Sequence, residues 1–350
     1  MRKIMQCLGV LAAVALAAAG VSAGSASAAT QRTVRTKAEW QSAIARVPER
    51  GTGCYRASYP ALQWHAVKCG VAPTWPVAPV RPSGSATHGT PTLVGNGVDY
   101  SARDSGLISK ATGTFHGVSP NITEKGKVGN AGSKVANAFS LQLNTQFFSG
   151  SPACSGSADP AKCLAWQQFV YAKFSGVGEV FMQYWLINYD TTCPAGWFTD
   201  GNDCYTNSST STLTSPLTAK NLATVKLSGS ATSGGNDQAS LSVGTGQATL
   251  VTNNDSELDL AAAWNTTEWG VYGDGGGGEA FFGTNTTLQA QTALTATSPS
   301  APTCVKEGFT AETNNLKLAK TTALGSEPSP TLASKQTNGT SGTASCAVAS

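Results

Sequence analysis

Charge is scarce in this 350-residue chain: Asp, Glu, Lys and Arg together make up 12% of it, about half of the roughly 25% in an ordinary soluble domain. The 23 basic and 20 acidic residues leave a net charge of +3. That balance provides no basic stripe able to neutralise phosphates, which excludes a nucleic-acid partner. No block of like charges occurs, so acidic arms and basic tails are excluded too. Beyond the first 28 residues no apolar run approaches the ~18 residues of a membrane-crossing helix, and no membrane partner is expected. Metal-ligand spacing is missing: there is no Cys-x-x-Cys, and the three histidines, His65, His88 and His116, are scattered. Zinc is therefore a poor rival to disulfide bonding for the cysteines, and no metal or other cofactor is expected. Walker and HExxH patterns are absent, GxSxG occurs only at 20–24 within the expected signal peptide, and GxGxxG only within a glycine run. The glycine run at 273–279 (GDGGGGE) is not followed by a helix that could cradle phosphate. The dispersed histidines give a Ser/His/Asp triad no local support.

What is present begins with Arg2 and Lys3, an apolar run at 8–19, and Ala26-Ser27-Ala28. This is the pattern of a Sec-type signal peptide over residues 1–28, and it predicts a secreted, extracellular protein. Its removal takes away two basic residues, so 21 minus 20 gives a mature charge of +1. It also takes Cys7, leaving eight of nine cysteines. An even number in an exported chain reads as disulfides. Sequence-local pairing predicts Cys54–Cys69, Cys154–Cys163, Cys193–Cys204 and Cys304–Cys346.

Residues 36–47 (TKAEWQSAIARV) carry the one helical period, through Trp40, Ile44 and Val47. Prolines 73, 76, 79, 82 and 91 then mark a linker. The expected organisation is a signal peptide (1–28), an N-terminal segment or propeptide with a Pro-rich linker (29–90), a β-sandwich domain (91–325) and a Ser/Thr/Gly-rich C-terminal tail (326–350). The tail is expected to be loosely ordered unless Cys346 ties it back. From residue 92 onward, short β-compatible runs alternate with Gly, Asn, Ser and Thr, among them 139–148, 165–174, 179–189, 223–227, 239–243, 247–251, 268–272, 280–282 and 287–294. Many closely spaced strands predict an all-β antiparallel sandwich or barrel, here a monomer with a small disulfide-bearing N-terminal segment. Residues 257–264 could form one or two helical turns.

Strand side chains alternate between faces. Gln167, Phe169 and Tyr171 therefore share one face, and Trp166, Gln168 and Val170 the other. Gln183 and Trp185 lie opposite Tyr184. In 264–274 (WNTTEWGVYGD), Glu268, Gly270, Tyr272 and Asp274 share one face and Trp269 and Val271 the other. A Glu inside an aromatic strand is notable in so uncharged a chain, because burial would raise its pKa and suit it to acid–base work.

The segment Thr267-Glu268-Trp269-Gly270-Val271 resembles the Ala-Glu-Trp-Ile-Val segment of the glutamic peptidases (eqolisins), which carries their catalytic Glu. Trp166-Gln167-Gln168-Phe169-Val170 stands where that family has a Leu-Gln-Thr-Gly-Val strand, and Gln183-Tyr184-Trp185 where it has an aromatic strand. Trp166-Gln167, Tyr184-Trp185 and the Cys193 to Cys204 loop also echo the neprosin-like relatives. The stretch 140–147 (SLQLNTQF) replaces the family's Trp-Val-Gly-Ile-Asp-Gly strand, and Gln183 replaces its aromatic-strand Glu. The resemblance implies a concanavalin/eqolisin-like β-sandwich and an acid-acting endopeptidase. Glu268 would take a proton from water and Gln167 would stabilise the oxyanion; a slip of one residue would select Gln168. Trp185, Tyr184, Gln183 and Tyr272 would line the substrate cleft. The partner implied is an extracellular polypeptide. The alternative is a lectin-like sandwich without catalysis, which would hold a glycan on aromatic faces.

Overall fold

Thr36 and Glu39 form a reciprocal capping box at the start of the only α-helix among the described residues, Lys37–Ile44. The helix buries Trp40 and Ile44 as its period predicts. Nearly everything after it is strand. The computed structural model describes residues 36–47, 49, 51–80, 94–95, 97–324 and 330–350. The expected signal peptide lies outside them.

The main strands are β1 (Gly53–Ser58), β2 (Ser101–Arg103), β3 (Ile108–His116), β4 (Phe139–Thr145), β5 (Leu164–Phe174), β6 (Val177–Ile187), β7 (Asp203–Asn207), β8 (Lys226–Ser230), β9 (Asn236–Val243), β10 (Gln247–Asn254), β11 (Thr266–Gly273), β12 (Thr287–Ala296) and β13 (Thr331–Thr337). They form two large sheets. One runs β1-β10-β9-β8-β3-β12-β13 and the other β7-β6-β5-β4-β11-β2, with short strands at the edges. Every pairing among these strands is antiparallel. Turn chemistry sets the register. Ser175 and Gly176 both take positive φ between β5 and β6, the two-residue hairpin geometry that matches strand twist, and Phe174 consequently pairs with Val177.

The sheets pack face to face over Phe115, Leu141, Leu143, Phe169, Met182, Leu241, Val251 and Val271. Two glycines allow the close approach. A Cβ on Gly113 of β3 would stand 2.1 Å from the Trp269 ring of β11, and one on Gly229 of β8 2.3 Å from the Phe169 ring of β5. The fold is thus an antiparallel β-sandwich, as the strand spacing predicts.

Described parts of the 29–90 and 326–350 segments join the first sheet. β1 pairs with β10 over six residues. β13 lies between β12 and the Lys317–Ala319 strand, and Cys346–Ala349 adds to it. Composition hid the C-terminal strand, because its Thr, Ser and Gln residues are common in loops as well. Residues 257–264 contain short 3-10 turns, with Leu260–Ala262 inside the stretch and Asp255–Glu257 at its start. All four sequence-local disulfides are present: Cys54–Cys69, Cys154–Cys163, Cys193–Cys204 and Cys304–Cys346. Among the described residues no helix is long and apolar enough to cross a membrane.

Candidate functional site

Register aligns one polar side chain from each of five neighbouring strands. Glu268 of β11 pairs with Asn144 of β4, Asn144 with Gln168 of β5, Gln168 with Gln183 of β6, and Gln183 with Asn207 of β7. Directly paired residues point to the same side of a sheet. The row therefore crosses the outer face of the second sheet, away from the sandwich core. Its side chains bond in two groups, Glu268–Asn144–Gln168 at one end and Gln183–Asn207 at the other. Gln168 Nε2 donates to Asn144 Oδ1 at 3.1 Å, and Asn144 Nδ2 donates to Glu268 Oε2 at 2.8 Å. Gln142, two residues along β4, accepts from both Asn144 and Gln168. At the far end Gln183 Nε2 donates to Asn207 Oδ1 at 2.7 Å.

The acidic end holds a second carboxyl. Tyr272, four residues beyond Glu268 on the same face of β11, has its hydroxyl 3.2 Å from Glu268 Oε1 and 3.0 Å from Asp99 Oδ2. The ring reaches there because residue 270 is glycine: a Cβ at that position would meet the Tyr272 hydroxyl at 2.3 Å. Gly95 N donates to Asp99 Oδ2 at 2.9 Å, and Phe309 N to Glu268 Oε2 at 2.9 Å. Asp99, Glu268, Tyr272, Asn144 and Gln168 are all buried. Burial raises the pKa of Glu268, against the hydrogen bonds from Asn144, Asp99, Phe309 and Tyr272, which lower it. Burial and then the Glu268 charge hold Asp99 well above the usual carboxylate range.

Two segments cover the row. Residues 72–80 run across it, with Val77 N donating to Gln183 Oε1 at 2.7 Å, while Asn207 Nδ2 and the Tyr205 hydroxyl donate to the carbonyls of Pro73 and Thr74. Residues 307–312 lie beside them, joined by Val80 N to Phe309 O and Ala311 N to Ala78 O. Ala78 N and Gly277 N both donate to the buried Glu312. Beyond Asn207, where the row ends, a cleft of about 220 Å³ is lined by Val71, Ala72, Thr74, Phe198 and Asn207 among others.

The candidates read from the sequence thus fall on two sides of one sheet. Glu268, Tyr272, Gln183 and Trp185 share the outer face. Gln167 and Tyr184 do not. Gln167 Nε2 donates to Asp237 Oδ2 at 2.8 Å, between the two sheets, and the Tyr184 hydroxyl accepts from Asn253 at 3.0 Å. Gln167 and Gln168 are thereby separated, since a shift of one residue moves a strand side chain to the other side of the sheet. The amide beside the Glu268 network is Gln168. Sequence reasoning missed Asn144 and Asp99. Alternation along 140–147, which puts Ser140, Gln142 and Asn144 on one face, could have found Asn144. Asp99 lies outside any regular strand and only tertiary folding brings it in. Among the described residues no group of three or more His, Cys, Asp or Glu side chains could hold a metal ion.

No model of a known protein family matches the sequence, and no curated protein matches it. Two solved structures overlap it loosely. One is scytalido-glutamic peptidase with a peptide-based transition-state analogue, at 10% identity and a TM-score of 0.33, covering 70% of this chain and 98% of that one. The other is the same peptidase with a transition-state analogue inhibitor, at 10% identity and a TM-score of 0.29, covering 74% of this chain and all of the other. The overlap is too loose to assign chemistry, and the sandwich architecture rests on the strand pairing of this chain itself.

Proposed function

We propose that this chain is a secreted, acid-acting endopeptidase in which Glu268 activates water and the amide of Gln168 supports the oxyanion. The observation that carries the reading is the bonded row from Glu268 through Asn144 to Gln168 on one sheet face. It sets a carboxylate beside preorganised amide dipoles, away from any Lys, Arg or His hydrogen bond. Glu268 takes a proton from water as the water oxygen bonds to the peptide carbonyl carbon. The second N–H of Gln168, which bonds Gln142 at 3.4 Å in the closed site, turns to the carbonyl oxygen and stabilises its charge. Glu268 then returns the proton to the nitrogen as the C–N bond breaks, leaving a carboxylic acid and an amine. Asn144 acts between them, donating to Glu268 and accepting from Gln168.

The substrate reaches this row when residues 72–80 shift from it, while residues 307–312 stay and keep the Phe309 N–H on Glu268, with the Phe198–Asn207 cleft as the adjoining open surface. Export follows from the expected signal peptide together with the four disulfides, which persist in oxidising compartments. The glycan-binding alternative is less well supported on this face. Its rings, Trp166 and Trp185, are fully buried among Phe147, Tyr205 and Phe309, so they offer no open surface for a sugar to stack on.

The test is release of peptides from denatured casein between about pH 2 and pH 7, with Glu268→Gln as control. Wild-type protein should show an acidic optimum. Glu268→Gln should lower turnover by about 10²-fold to 10⁴-fold, and Gln168→Ala by about 10²-fold to 10³-fold. Full activity in Glu268→Gln would refute the assignment.

A further inference from the structure

The acidic end of the row contains two titratable groups that the proposed reaction does not use, Asp99 and Tyr272. Tyr272 has a single hydroxyl proton, yet its oxygen lies within hydrogen-bond distance of Asp99 Oδ2 and Glu268 Oε1. Two ionised carboxylates could only accept from it, and one donor cannot serve both. The neighbours offer no other neutralisation. Facing the pair are Asn144 from β4, the Phe309 N–H from the covering loop, the Gly95 N–H, and Tyr272 from β11. The only charged or titratable groups among them are the two carboxyls and the Tyr272 hydroxyl. Arg103 on β2 instead bonds Thr266 and makes an exposed ion pair with Glu307.

Donor counting places the proton. Glu268 Oε2 accepts two N–H groups, from Asn144 and Phe309, whereas Asp99 accepts one, from Gly95. A carboxyl with more N–H donors is the better carboxylate. We propose that Asp99 is a positioning acid for this site: protonated, it donates to Glu268, so the pair works as a singly protonated dyad with Glu268 as the ionised member. This rests on the reading of Glu268 as the water-activating base and adds a second limb to its pH dependence. Rate falls at low pH when Glu268 gains a proton. It falls again at higher pH when Asp99 loses its own, because Glu268 then faces a like charge and has lost its donor. The two limbs belong to the coupled pair rather than to either residue alone.

The experiment is a pH–rate profile of the full chain on denatured casein for wild type, Asp99→Asn, Tyr272→Phe and Glu268→Gln. Asparagine keeps an N–H donor towards Glu268 but cannot ionise. Asp99→Asn should therefore retain the acid limb and lose the alkaline one, holding its rate where wild type drops about tenfold per pH unit. Tyr272→Phe removes a donor that favours both ionised forms and should move both limbs to higher pH with little change in KM. An inactive Glu268→Gln with an unchanged Asp99→Asn profile overturns the dyad and leaves Glu268 as the base. An active Glu268→Gln overturns both. Infrared spectra at neutral pH give a readout independent of turnover. Wild type should show one more protonated carboxyl than Asp99→Asn in the difference spectrum of the two, and identical spectra would overturn the proposal. If Asp99→Asn does not fold, Tyr272→Phe decides: unshifted limbs overturn the dyad.

Discussion

Glu268 is held by contacts that leave little room. A Cβ on Gly308 would stand 2.6 Å from Glu268 Oε1 and 3.4 Å from Asp99 N, so glycine lets the loop close until Phe309 N reaches the carboxylate. Gly308→Ala should push the loop away and break that hydrogen bond. The expected cost is about 1–3 kcal/mol of stability, the range for overpacking a closed site or leaving a buried acceptor unpaired, measured as a lower urea midpoint at unchanged slope. At this scale Glu268 was legible as an acidic residue inside an aromatic strand. The choice between Gln167 and Gln168 was not, since neighbours on a strand differ only in the side of the sheet they face, and that depends on what lies above and below.

At the scale of the elements, ring-into-glycine contacts tie the two sheets together. Trp269 of β11 sits against Gly113 of β3 and donates its indole N–H to the Thr114 carbonyl at 2.9 Å. The same strand presents Glu268 outward and Trp269 inward, so β11 links the core to the site. Gly113→Ala would place a methyl group inside the indole ring. We expect a loss of about 1–3 kcal/mol or more, seen as a lower melting temperature, with Glu268 chemistry weakened in step as β11 is displaced. Period-two alternation made these strands and their faces readable. Their neighbours in each sheet were not readable, because β11 pairs with β4 and β2, which lie more than a hundred residues earlier in the chain.

For the molecule as a whole, the unusual quantity is the number of buried carboxyls. Burial is the first cause of a raised pKa at several more of them, and it pushes Glu124 and Asp274 up to about 8 and Glu179 to about 7, from ordinary values of 4.5, 3.8 and 4.5. A folded-state value above the unfolded one means that the folded protein binds more protons across the interval between them. The stability these groups contribute is complete below about pH 4 and falls as pH rises towards about 8. The melting temperature should therefore increase steadily as pH is lowered from about 8 to about 5, and a flat or inverted dependence would contradict the burial of these groups. An acid-favoured fold accords with the proposed acid-acting reaction, since Glu268 and Asp99 are buried in the same way.

Cysteine pairing, strand content and the strand position of one acidic candidate could all be read from residue order alone. These depend on local composition, on short loops closed by nearby cysteines, and on the two-residue period of a strand. Other features exist only after folding. The sheet order aligns Glu268, Asn144, Gln168, Gln183 and Asn207 in one row. Residues 72–80 cover that row, and Asp99 arrives beneath the Tyr272 hydroxyl. Each of these is a contact between distant parts of the chain, set by antiparallel register and by which sheet face is left for other segments to bury.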